Sequence, residues 1–270
     1  MPPVSRPRGN PVTDDRALAG ELATAAGELL LDIRRSSGLT GKELGQEGDR
    51  RSDEFILGRL AQERPDDAVL SEESADDKSR LSASRVWIID PVDGTREYGT
   101  YEPGGGRSDW AVHVALWSAD DGLIAGAVAL PALGVTYLDD GSTVEPVEGL
   151  ASRPRTGVPR VVVSSSRPPA FADEVAAAMA GEVLPMGSAG AKAMAVVRGE
   201  ADAYVHAGGQ YEWDSAAPVA VAKAKGLWCG RIDGSPLVYN NEDTYLPDLV
   251  ICRPEFTEAI LTVTTEGAGG

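Results

Sequence analysis

The spacing of apolar residues near the start of the chain predicts a long amphipathic helix. Apolar side chains recur there at intervals of three and four residues and would share one face; they are Leu18, Leu22, Ala25, Leu29 and Ile33. Thr13, which two acidic residues follow, is typical of a helix start, and Gly38 is typical of a helix end. A second helix is predicted from Ser52 to Glu63, with its apolar residues on one buried face.

The pattern then changes to short apolar runs that Gly, Pro and Asp turns separate, which predicts strands. The predicted strands of the first half are 68–70, 86–89, 110–117, 123–129 and 135–138. Residues 13–150 are therefore expected to form an N-terminal α+β unit that a tail over residues 1–12 precedes.

A stretch rich in Pro, Arg and Gly at 148–159 resembles a linker. Beyond it, strands and helices alternate: strands at 161–163 and 203–205, and helices near 170–180, 189–198 and 215–225. This alternation favours an α/β unit over 151–265, followed by a disordered tail at 266–270.

Composition excludes several classes of function. The 270 residues hold 42 Asp and Glu against 25 Lys and Arg, a net charge of −17. This argues against a nucleic acid or an anionic membrane as partner, because both are bound through basic residues. Two Cys and two His cannot build a disulfide framework and hardly a zinc site. No apolar run is long enough to span a bilayer, so we expect a cytoplasmic protein in which carboxylates hold any metal.

Two acidic residues follow the most apolar predicted strand. Residues three apart on a continuous strand point to opposite faces, so we expect Pro91 to end the strand and bend the chain until Asp90 and Asp93 converge. Gly94 and Thr95 come next, and a helix beginning there would offer free N–H groups to an anion. An ordinary surface turn is the alternative, since Asp, Pro and Gly favour turns.

Two more segments place acids at the ends of elements. Glu72 and Glu73 follow a short strand, and Asp214 opens a helix rich in small residues. Taken singly, these fit a solvated loop and a helix cap. If they share a site with the two aspartates, they need a cation, because charges about 6 Å apart repel by roughly 3 kcal/mol at an effective dielectric of about 20. Oxygen ligands favour Mg²⁺, and several such acids favour a site with more than one ion.

These three segments, in this order, resemble the inositol monophosphatase superfamily of Mg²⁺-dependent, lithium-sensitive phosphatases. Its motifs are a Glu-Glu pair, Asp-Pro-x-Asp-Gly-Thr after a strand, and Trp-Asp-x-Ala-Ala before a helix. They stand here as Glu72-Glu73, Asp90-Pro91-Val92-Asp93-Gly94-Thr95 and Trp213-Asp214-Ser215-Ala216-Ala217. The resemblance covers roughly residues 14–260 and implies a layered αβαβα sandwich of the α/β (α+β) class.

Within the superfamily the chain is most similar to the CysQ-type 3′(2′),5′-bisphosphate nucleotidases, especially actinobacterial ones. The segments that carry this similarity are Arg96-Glu97-Tyr98, Ser164-Ser165-Ser166-Arg167, Gly187-Ser188-Ala189-Gly190-Ala191-Lys192, and Ala201-Asp202-Ala203-Tyr204 leading to Glu212-Trp213-Asp214. The resemblance implies hydrolysis of 3′-phosphoadenosine 5′-phosphate (pAp) to AMP and phosphate in sulfate assimilation. Its sulfated parent PAPS is a further candidate substrate.

The resemblance also implies a ligand set for the metals. Glu72, Asp90 and the Val92 carbonyl would hold one Mg²⁺, and Asp90, Asp93 and Asp214 the second. Glu72 would also lie near a weaker third ion. Mn²⁺ is expected to substitute for Mg²⁺, and Li⁺ to inhibit.

The same resemblance implies roles in catalysis and substrate binding. The N–H groups of Gly94 and Thr95 would receive the phosphate, and Thr95 paired with Asp49 would activate water. The family usually has Thr where Gln46 stands. The remaining substrate contacts are expected from Asp93, Asp214, Ser188, Arg167 and Lys192. Lys192 stands among Ala and Met, where a second phosphate would explain it and an exposed surface lysine is the alternative.

Other functions stay open at this point. An inositol-1-phosphatase, or a broad sugar phosphatase that also accepts fructose 1,6-bisphosphate, would share the catalytic half. A non-catalytic metal or nucleotide sensor and a structural Ca²⁺ module are less favoured, because the acids are intact and come from distant segments. A homodimer is expected by resemblance.

Overall fold

The structure is a computed structural model that describes residues 11–100, 106–144 and 157–267. Most of the predicted N-terminal tail and of the linker lie outside the described residues. The first helix begins at Pro11 and the last one reaches Gly267, so the inner two residues of each predicted tail are helical.

The helices and strands follow one another along the chain in the expected mixed order. The helices are α1 (Pro11–Ser36), α2 (Gly41–Glu63), α3 (Thr95–Gly99), α4 (Ala172–Ala178), α5 (Ala189–Val197), α6 (Glu212–Ala224) and α7 (Thr257–Gly267). The strands are β1 (Ala68–Ser71), β2 (Arg85–Asp93), β3 (Ala111–Ser118), β4 (Gly122–Leu130), β5 (Val135–Leu138), β6 (Thr143–Val144), β7 (Arg160–Ser164), β8 (Glu182–Met186), β9 (Ala203–Tyr211), β10 (Trp228–Gly230) and β11 (Tyr245–Cys252).

Two sheets and three layers of helices alternate through the molecule. The first sheet has the order β1-β2-β3-β4-β5-β6, and the second has the order β10-β11-β9-β7-β8. Helices α1 and α2 cover the outer face of the first sheet, α5 and α6 lie between the sheets, and α4 and α7 cover the second sheet. This is the αβαβα sandwich that the resemblance implies. Apolar side chains fill each space between layers, for example Leu22, Val219 and Met179.

The second sheet is only partly the predicted α/β unit. Strand β7 pairs in parallel with β8 and β9, as alternating strands and helices imply. Strand β11, however, pairs antiparallel with β9 and β10. We predicted none of the strands β8, β10 and β11. Strands β8 and β10 have a weak apolar pattern, whereas β11 ends in a buried apolar run, Leu249 to Cys252, that the sequence analysis overlooked.

Helix α2 begins eleven residues before the predicted start at Ser52. Residues 41–51 contain three glycines and a single apolar residue, Leu44, so they lack a helical apolar stripe. Tertiary packing explains the helix: a Cβ on Gly48 would lie 2.4 Å from the Tyr98 ring, so the glycine lets α2 approach α3 closely. Asp49 consequently lies inside a helix, and its predicted place before a helix is wrong.

Strand β2 also differs from the prediction, because Pro91 does not end it. The strand continues to Asp93, and its pairing with β3 shifts between Asp90 and Asp93. Such a bulge tolerates a proline, which has no N–H to offer the ladder. The bulge, and not the end of the strand, turns the carboxylates of Asp90 and Asp93 to the same side.

In the described parts of the chain, no helix is both long enough and apolar enough to cross a bilayer.

Candidate active site

Three aspartates from two distant segments meet at one end of the first sheet. Asp90 and Asp93 lie on the bulged end of β2, and Asp214 is the third residue of α6. One carboxylate oxygen of each lies within 4.8 Å of the other two. The convergence of these three side chains agrees with the sequence-based expectation.

Glu72 reaches the same place from the neighbouring strand. Strands β1 and β2 are parallel, so their carboxyl ends meet at one edge of the sheet. The Glu72 N–H donates to the Ile89 carbonyl at 3.2 Å, which extends the ladder past β1. Its carboxyl group shares a hydrogen bond with Asp90, and desolvation and the charge of Asp214 raise its pKa to about 8.

The other acids resist ionisation for the same reasons. Burial, followed by the charge of Asp93, raises the pKa of Asp214 to about 7. Burial and the neighbouring acids Glu72 and Asp93 raise the pKa of Asp90 well above its usual range. A divalent cation would reverse these repulsions. The clustered ligand atoms are the carboxylate oxygens of Asp90, Asp93 and Asp214, which fit a hard ion such as Mg²⁺.

Asp93 differs from its neighbours, because it is already surrounded by donors. Its carboxylate accepts from the Ala189 N–H at 3.0 Å, the Gly190 N–H at 2.6 Å and the Ser188 hydroxyl. Burial works to raise the pKa of Asp93, but the charges of His113 and Lys192 and the donated hydrogen bonds outweigh it, so this pKa lies well below its usual range. Asp93 therefore stays ionised while the rest of the cluster holds protons.

Thr95 and Asp49 form a pair beside the cluster, as the sequence analysis expected. The Thr95 Oγ1 lies 3.2 Å from Asp49 Oδ1 and 3.1 Å from the Val92 carbonyl oxygen. One hydroxyl proton can serve only one of these acceptors at a time. Burial, and after it the charge of Glu73, raises the pKa of Asp49 to about 7. This carboxyl group can therefore exchange a proton near neutral pH.

Gly94, directly before Thr95, lets the chain pass close to the second half of the molecule. Gly94 has a φ of 87°, in the left-handed region, and precedes the short helix α3. A Cβ here would lie 3.1 Å from the Ser188 Cβ and 3.2 Å from the Asp109 carbonyl oxygen. Gly94 is therefore required both for its backbone conformation and for the close approach of Ser188.

A cavity of about 310 Å³ opens beside Asp93, Thr95 and Asp214. Its opposite wall comes from the second half of the chain, and this wall includes Ser164, Ser165, Ser166, Arg167, Gly187, Ser188, Lys192, Tyr204, His206, Gly209 and Gln210. The structure thus brings Arg167, Ser188 and Lys192, which we expected to contact the substrate, to the same cavity as Asp93 and Asp214.

Lys192 is buried in the wall of the cavity. Only 4% of it is exposed, so the alternative of a surface lysine is wrong. Its ammonium group donates to the carbonyls of Gly187 at 3.3 Å and Ser188 at 2.6 Å, and it lies 5.1 Å from the centre of the Tyr204 ring. Lys192 therefore both supports the start of α5 and contributes a positive charge to the cavity.

Ser188 and Arg167 are held differently. The Ser188 hydroxyl caps α5 by accepting from the Ala191 N–H at 3.0 Å, and its one proton goes to Asp93. Arg167 is exposed, and its guanidinium group donates to the Gly209 carbonyl at 3.4 Å. Arg167 is thus free to reorient towards a ligand, whereas the Ser188 proton is already in use.

Sequence analysis missed four residues around this cavity. Tyr204, His206 and Gln210 line its wall from β9, and His113 lies behind Asp90 and Asp93 on β3. A signal for His113 existed: it interrupts the apolar run of β3, where a strand buried on both faces favours apolar residues throughout. Polar residues on β9 carried no comparable signal.

Comparisons with known proteins agree with this geometry. The family model of the inositol monophosphatase family matches residues 13–266. The 3′-phosphoadenosine 5′-phosphate phosphatase of Mycobacterium leprae is 51% identical over 265 residues, which cover 93% of this chain and 94% of that protein. The 3′(2′),5′-bisphosphate nucleotidase CysQ of Escherichia coli is 30% identical over 204 residues, covering 71% of this chain and 77% of that one.

A solved structure shows the same fold. The crystal structure of CysQ from Bacteroides thetaiotaomicron superposes with a TM-score of 0.73 at 24% sequence identity, covering 89% of this chain and 97% of that one. The resemblance and the fold predicted from the motifs are confirmed. The family match runs through all three acidic segments and both sheets, and the chain belongs to the inositol monophosphatase family.

Proposed function

We propose that this protein is a Mg²⁺-dependent phosphatase that hydrolyses the 3′-phosphate of pAp, giving AMP and phosphate in sulfate assimilation, with PAPS as a second substrate. The observation that carries the proposal is one cavity with an acidic side, where Asp93 and Asp214 line the wall and Asp90 clusters with them, and a cationic side that holds Arg167 and Lys192. A substrate with two separated phosphates matches this arrangement. The names of the similar proteins point to the same chemistry.

The acidic side would hold the metal ions. Asp90, with Glu72 and the Val92 carbonyl, would hold one Mg²⁺, and Asp90, Asp93 and Asp214 the other. Glu72 would also lie near a weaker third ion. Li⁺ would inhibit by replacing a weakly held Mg²⁺, and Mn²⁺ would substitute for Mg²⁺. Bound Mg²⁺ supplies Lewis-acid polarisation of the phosphoryl oxygens and neutralises the charge that develops during displacement.

Thr95 and Asp49 would orient and deprotonate the attacking water. When the Thr95 hydroxyl donates to Asp49, its oxygen lone pairs are free to accept a hydrogen bond from water. Asp49 accepts the proton passed through this hydroxyl, because a threonine has no basicity of its own at neutral pH. The N–H groups of Gly94 and Thr95, at the start of α3, would hold the phosphate oxygens.

The second half of the chain would bind the nucleotide. Arg167 is exposed and makes one long side-chain hydrogen bond, to Gly209, so its guanidinium group would turn to the 5′-phosphate. The Lys192 ammonium group, which the Ser188 carbonyl holds in place, would add a second positive charge. The ribose would then face Asp93, Ser188 and Asp214. The homodimer and the cytoplasmic location stay predictions of the sequence.

Substrate comparison tests the proposal. Phosphate release with Mg²⁺ is measured for pAp, inositol-1-phosphate and fructose 1,6-bisphosphate, with and without Li⁺. We expect kcat/KM for pAp to exceed the others by about a hundredfold, which is about 2.7 kcal/mol of transition-state discrimination. Comparable values for the three substrates would contradict a pAp-specific cationic wall. If the protein binds metal but hydrolyses none of the three substrates, the alternative of a non-catalytic metal or nucleotide sensor would be favoured.

A further inference from the structure

His113 lies beside the two segments that carry Asp90, Asp93 and Asp214. It is fully buried, with 0% of its surface exposed, and it stands on β3 directly opposite Asp90 of β2. A histidine at a fully buried position needs partners for both ring nitrogens, because an unpaired buried polar atom costs about 1–3 kcal/mol. Nδ1 has such a partner in the helix that carries Asp214, whereas Nε2 makes no hydrogen bond among the described residues and faces Asp93, with which it pairs when the ring carries a proton on both nitrogens.

The first ring nitrogen holds the start of α6. His113 Nδ1 lies 3.0 Å from the Trp213 carbonyl oxygen. Because a carbonyl oxygen only accepts, Nδ1 carries the proton and donates it. Trp213 is the residue before Asp214, so this bond links the first turn of α6 to the middle of the first sheet.

The second ring nitrogen faces Asp93. His113 Nε2 lies 3.3 Å from Asp93 Oδ2, within ion-pair distance, and Nδ1 lies 3.9 Å from Asp90 Oδ2. The ring is also wedged against α5: a Cβ on Gly190 would lie 2.1 Å from Nε2. The ring thus contacts β2, α5 and α6, the three elements whose relative placement sets the cluster.

We propose that His113 is a positioning residue that holds Asp93 and the first turn of α6 in the geometry that receives the metal ions. The carboxylates repel one another, so an unsupported Asp93 or α6 start would turn away from the cluster. Groups that orient metal ligands in this manner raise metal affinity without touching the metal. This role rests on the metal site of the proposed function.

Direct metal binding tests the role without relying on turnover. Mn²⁺ affinity is measured by calorimetry and by electron paramagnetic resonance for the wild type, His113→Asn and His113→Gln. The shorter Asn amide can replace Nδ1 towards Trp213 but does not reach Asp93, whereas the Gln amide extends towards the position of Nε2. We expect His113→Asn to weaken Mn²⁺ binding by about 10- to 100-fold and His113→Gln by clearly less.

Val114→Ala is the matched control. Val114 is the next residue of β3, is equally buried and belongs to the apolar layer under α1 and α2. We expect its loss to lower the Tm and to leave Mn²⁺ affinity unchanged. A merely structural role for His113 predicts the same behaviour for His113→Asn, so a folded His113→Asn protein with wild-type affinity would overturn the proposal.

Gly190→Ala provides the same test from the other side, should His113→Asn fail to fold. It pushes the intact ring away from Asp93, and unchanged Mn²⁺ affinity in this variant would equally overturn the proposal. The wild-type protein offers a third test, because the chain has two histidines and hence two pairs of ring-nitrogen signals in ¹⁵N NMR. Saturation with Mg²⁺ should shift the His113 signal more than that of His206; an unmoved His113 signal would contradict the role.

Failure of the proposed function gives a different pattern. A wild type that binds Mn²⁺ tightly but does not hydrolyse pAp would end the pAp proposal and leave the role of His113 standing if His113→Asn loses affinity. A wild type that binds neither Mn²⁺ nor Mg²⁺ would overturn both the metal site and the positioning role.

Discussion

The two sides of the cavity hold charges of opposite sign, and burial acts on them in opposite directions. On the acidic side it raises the pKa of Asp90 and Asp214. On the opposite side burial lowers the pKa of Lys192, and burial with the charge of Lys192 lowers that of His206 to about 4. Apart from Asp93, whose pKa is lowered, the buried groups of each side thus resist their own charge, and a ligand of opposite charge would relieve this: under the proposed function, a metal cation on one side and a phosphate on the other.

The sides also differ in how they are built. The acids lie at the ends of strands and at the first turn of a long helix, where the backbone is held by the sheets. Arg167 lies on a loop after β7, with a single side-chain hydrogen bond to Gly209. Residues on rigid elements suit metal ligation, which needs fixed geometry, whereas a loop suits the closing of a charged residue on a substrate.

The largest expected effect is on the acidic side. Asp93→Asn keeps the shape of the side chain but removes its charge and one of its two acceptor oxygens, so we expect turnover to fall at least about a thousandfold, on the order of 4 kcal/mol. Circular dichroism should show a folded protein. Asp139→Asn, which weakens a partly buried ion pair with Arg16 that does not line this cavity, is the control and should stay within about twofold of wild-type activity. Substantial activity in Asp93→Asn would contradict the assignment of the acidic side of the cavity to metal binding.

The cationic side should show a smaller effect that depends on the substrate. We expect Lys192→Ala to raise KM for pAp by about 10- to 100-fold, the range for a hydrogen bond to a charged group. Because Lys192 also supports the Gly187 and Ser188 carbonyls, part of this loss should appear with a monophosphate. Arg167→Ala lacks that structural contribution and should affect pAp alone. Lys223→Ala removes an exposed lysine and serves as the control. Equal KM effects on both substrates would contradict a second phosphate site.

In the metal-free protein, repulsion among the acids should make the stability of the fold depend on pH. In the folded protein, Asp49 and Asp214 have a pKa of about 7 and Glu72 of about 8, well above the unfolded values. A raised acid pKa stabilises the fold at low pH, and this contribution is lost as pH rises through the folded pKa. The depressed pKa of His206 acts with the opposite sign, but only between about pH 4 and 6.5.

Thermal melts of the metal-free protein between pH 6.5 and 8.5 therefore isolate the acids. We expect the Tm to fall by several degrees as pH rises, and saturating Mg²⁺ to abolish most of this slope. The same slope with and without Mg²⁺ would show that no cation enters the cluster.

The smallest expected effect is a difference in kcat between alanine substitutions at two glycines of α2, Gly45 and Gly58. A Cβ on Gly45 would lie 2.7 Å from the Thr95 Cγ2, whereas a Cβ on the exposed Gly58 would meet no atom within 4 Å. We expect Gly58→Ala to stabilise the protein by about 1 kcal/mol through helix propensity, without a change in kcat. Gly45→Ala gains the same propensity but displaces Thr95, so kcat should fall by several fold. Identical kcat values for the two variants would contradict a role for Thr95 placement.

Sequence reasoning predicted the acidic side better than the opposite side. Asp90, Asp93 and Asp214 stand in motifs beside strongly apolar segments, where acids are unexpected, and the structure brings them together. Tyr204, His206 and Gln210 stand in an ordinary strand with no unusual neighbour. Their position in the cavity depends on how the second sheet faces α5 and the first sheet, which no local pattern encodes. The roles of individual site residues stay predictions that the variants above test.

The sequence by itself determined the family, because the three acidic motifs carry the resemblance to it, and that resemblance implied the layered fold and the clustered acids. Tertiary structure alone decided that α2 begins at Gly41, because its first turns have no apolar stripe and rely on glycines that pack against α3. It also decided that β2 passes through Pro91 by a bulge, that Lys192 is buried, and that His113 joins Asp93 to α6. Each of these depends on contacts between residues far apart in the chain, and close packing and burial in the folded protein create them.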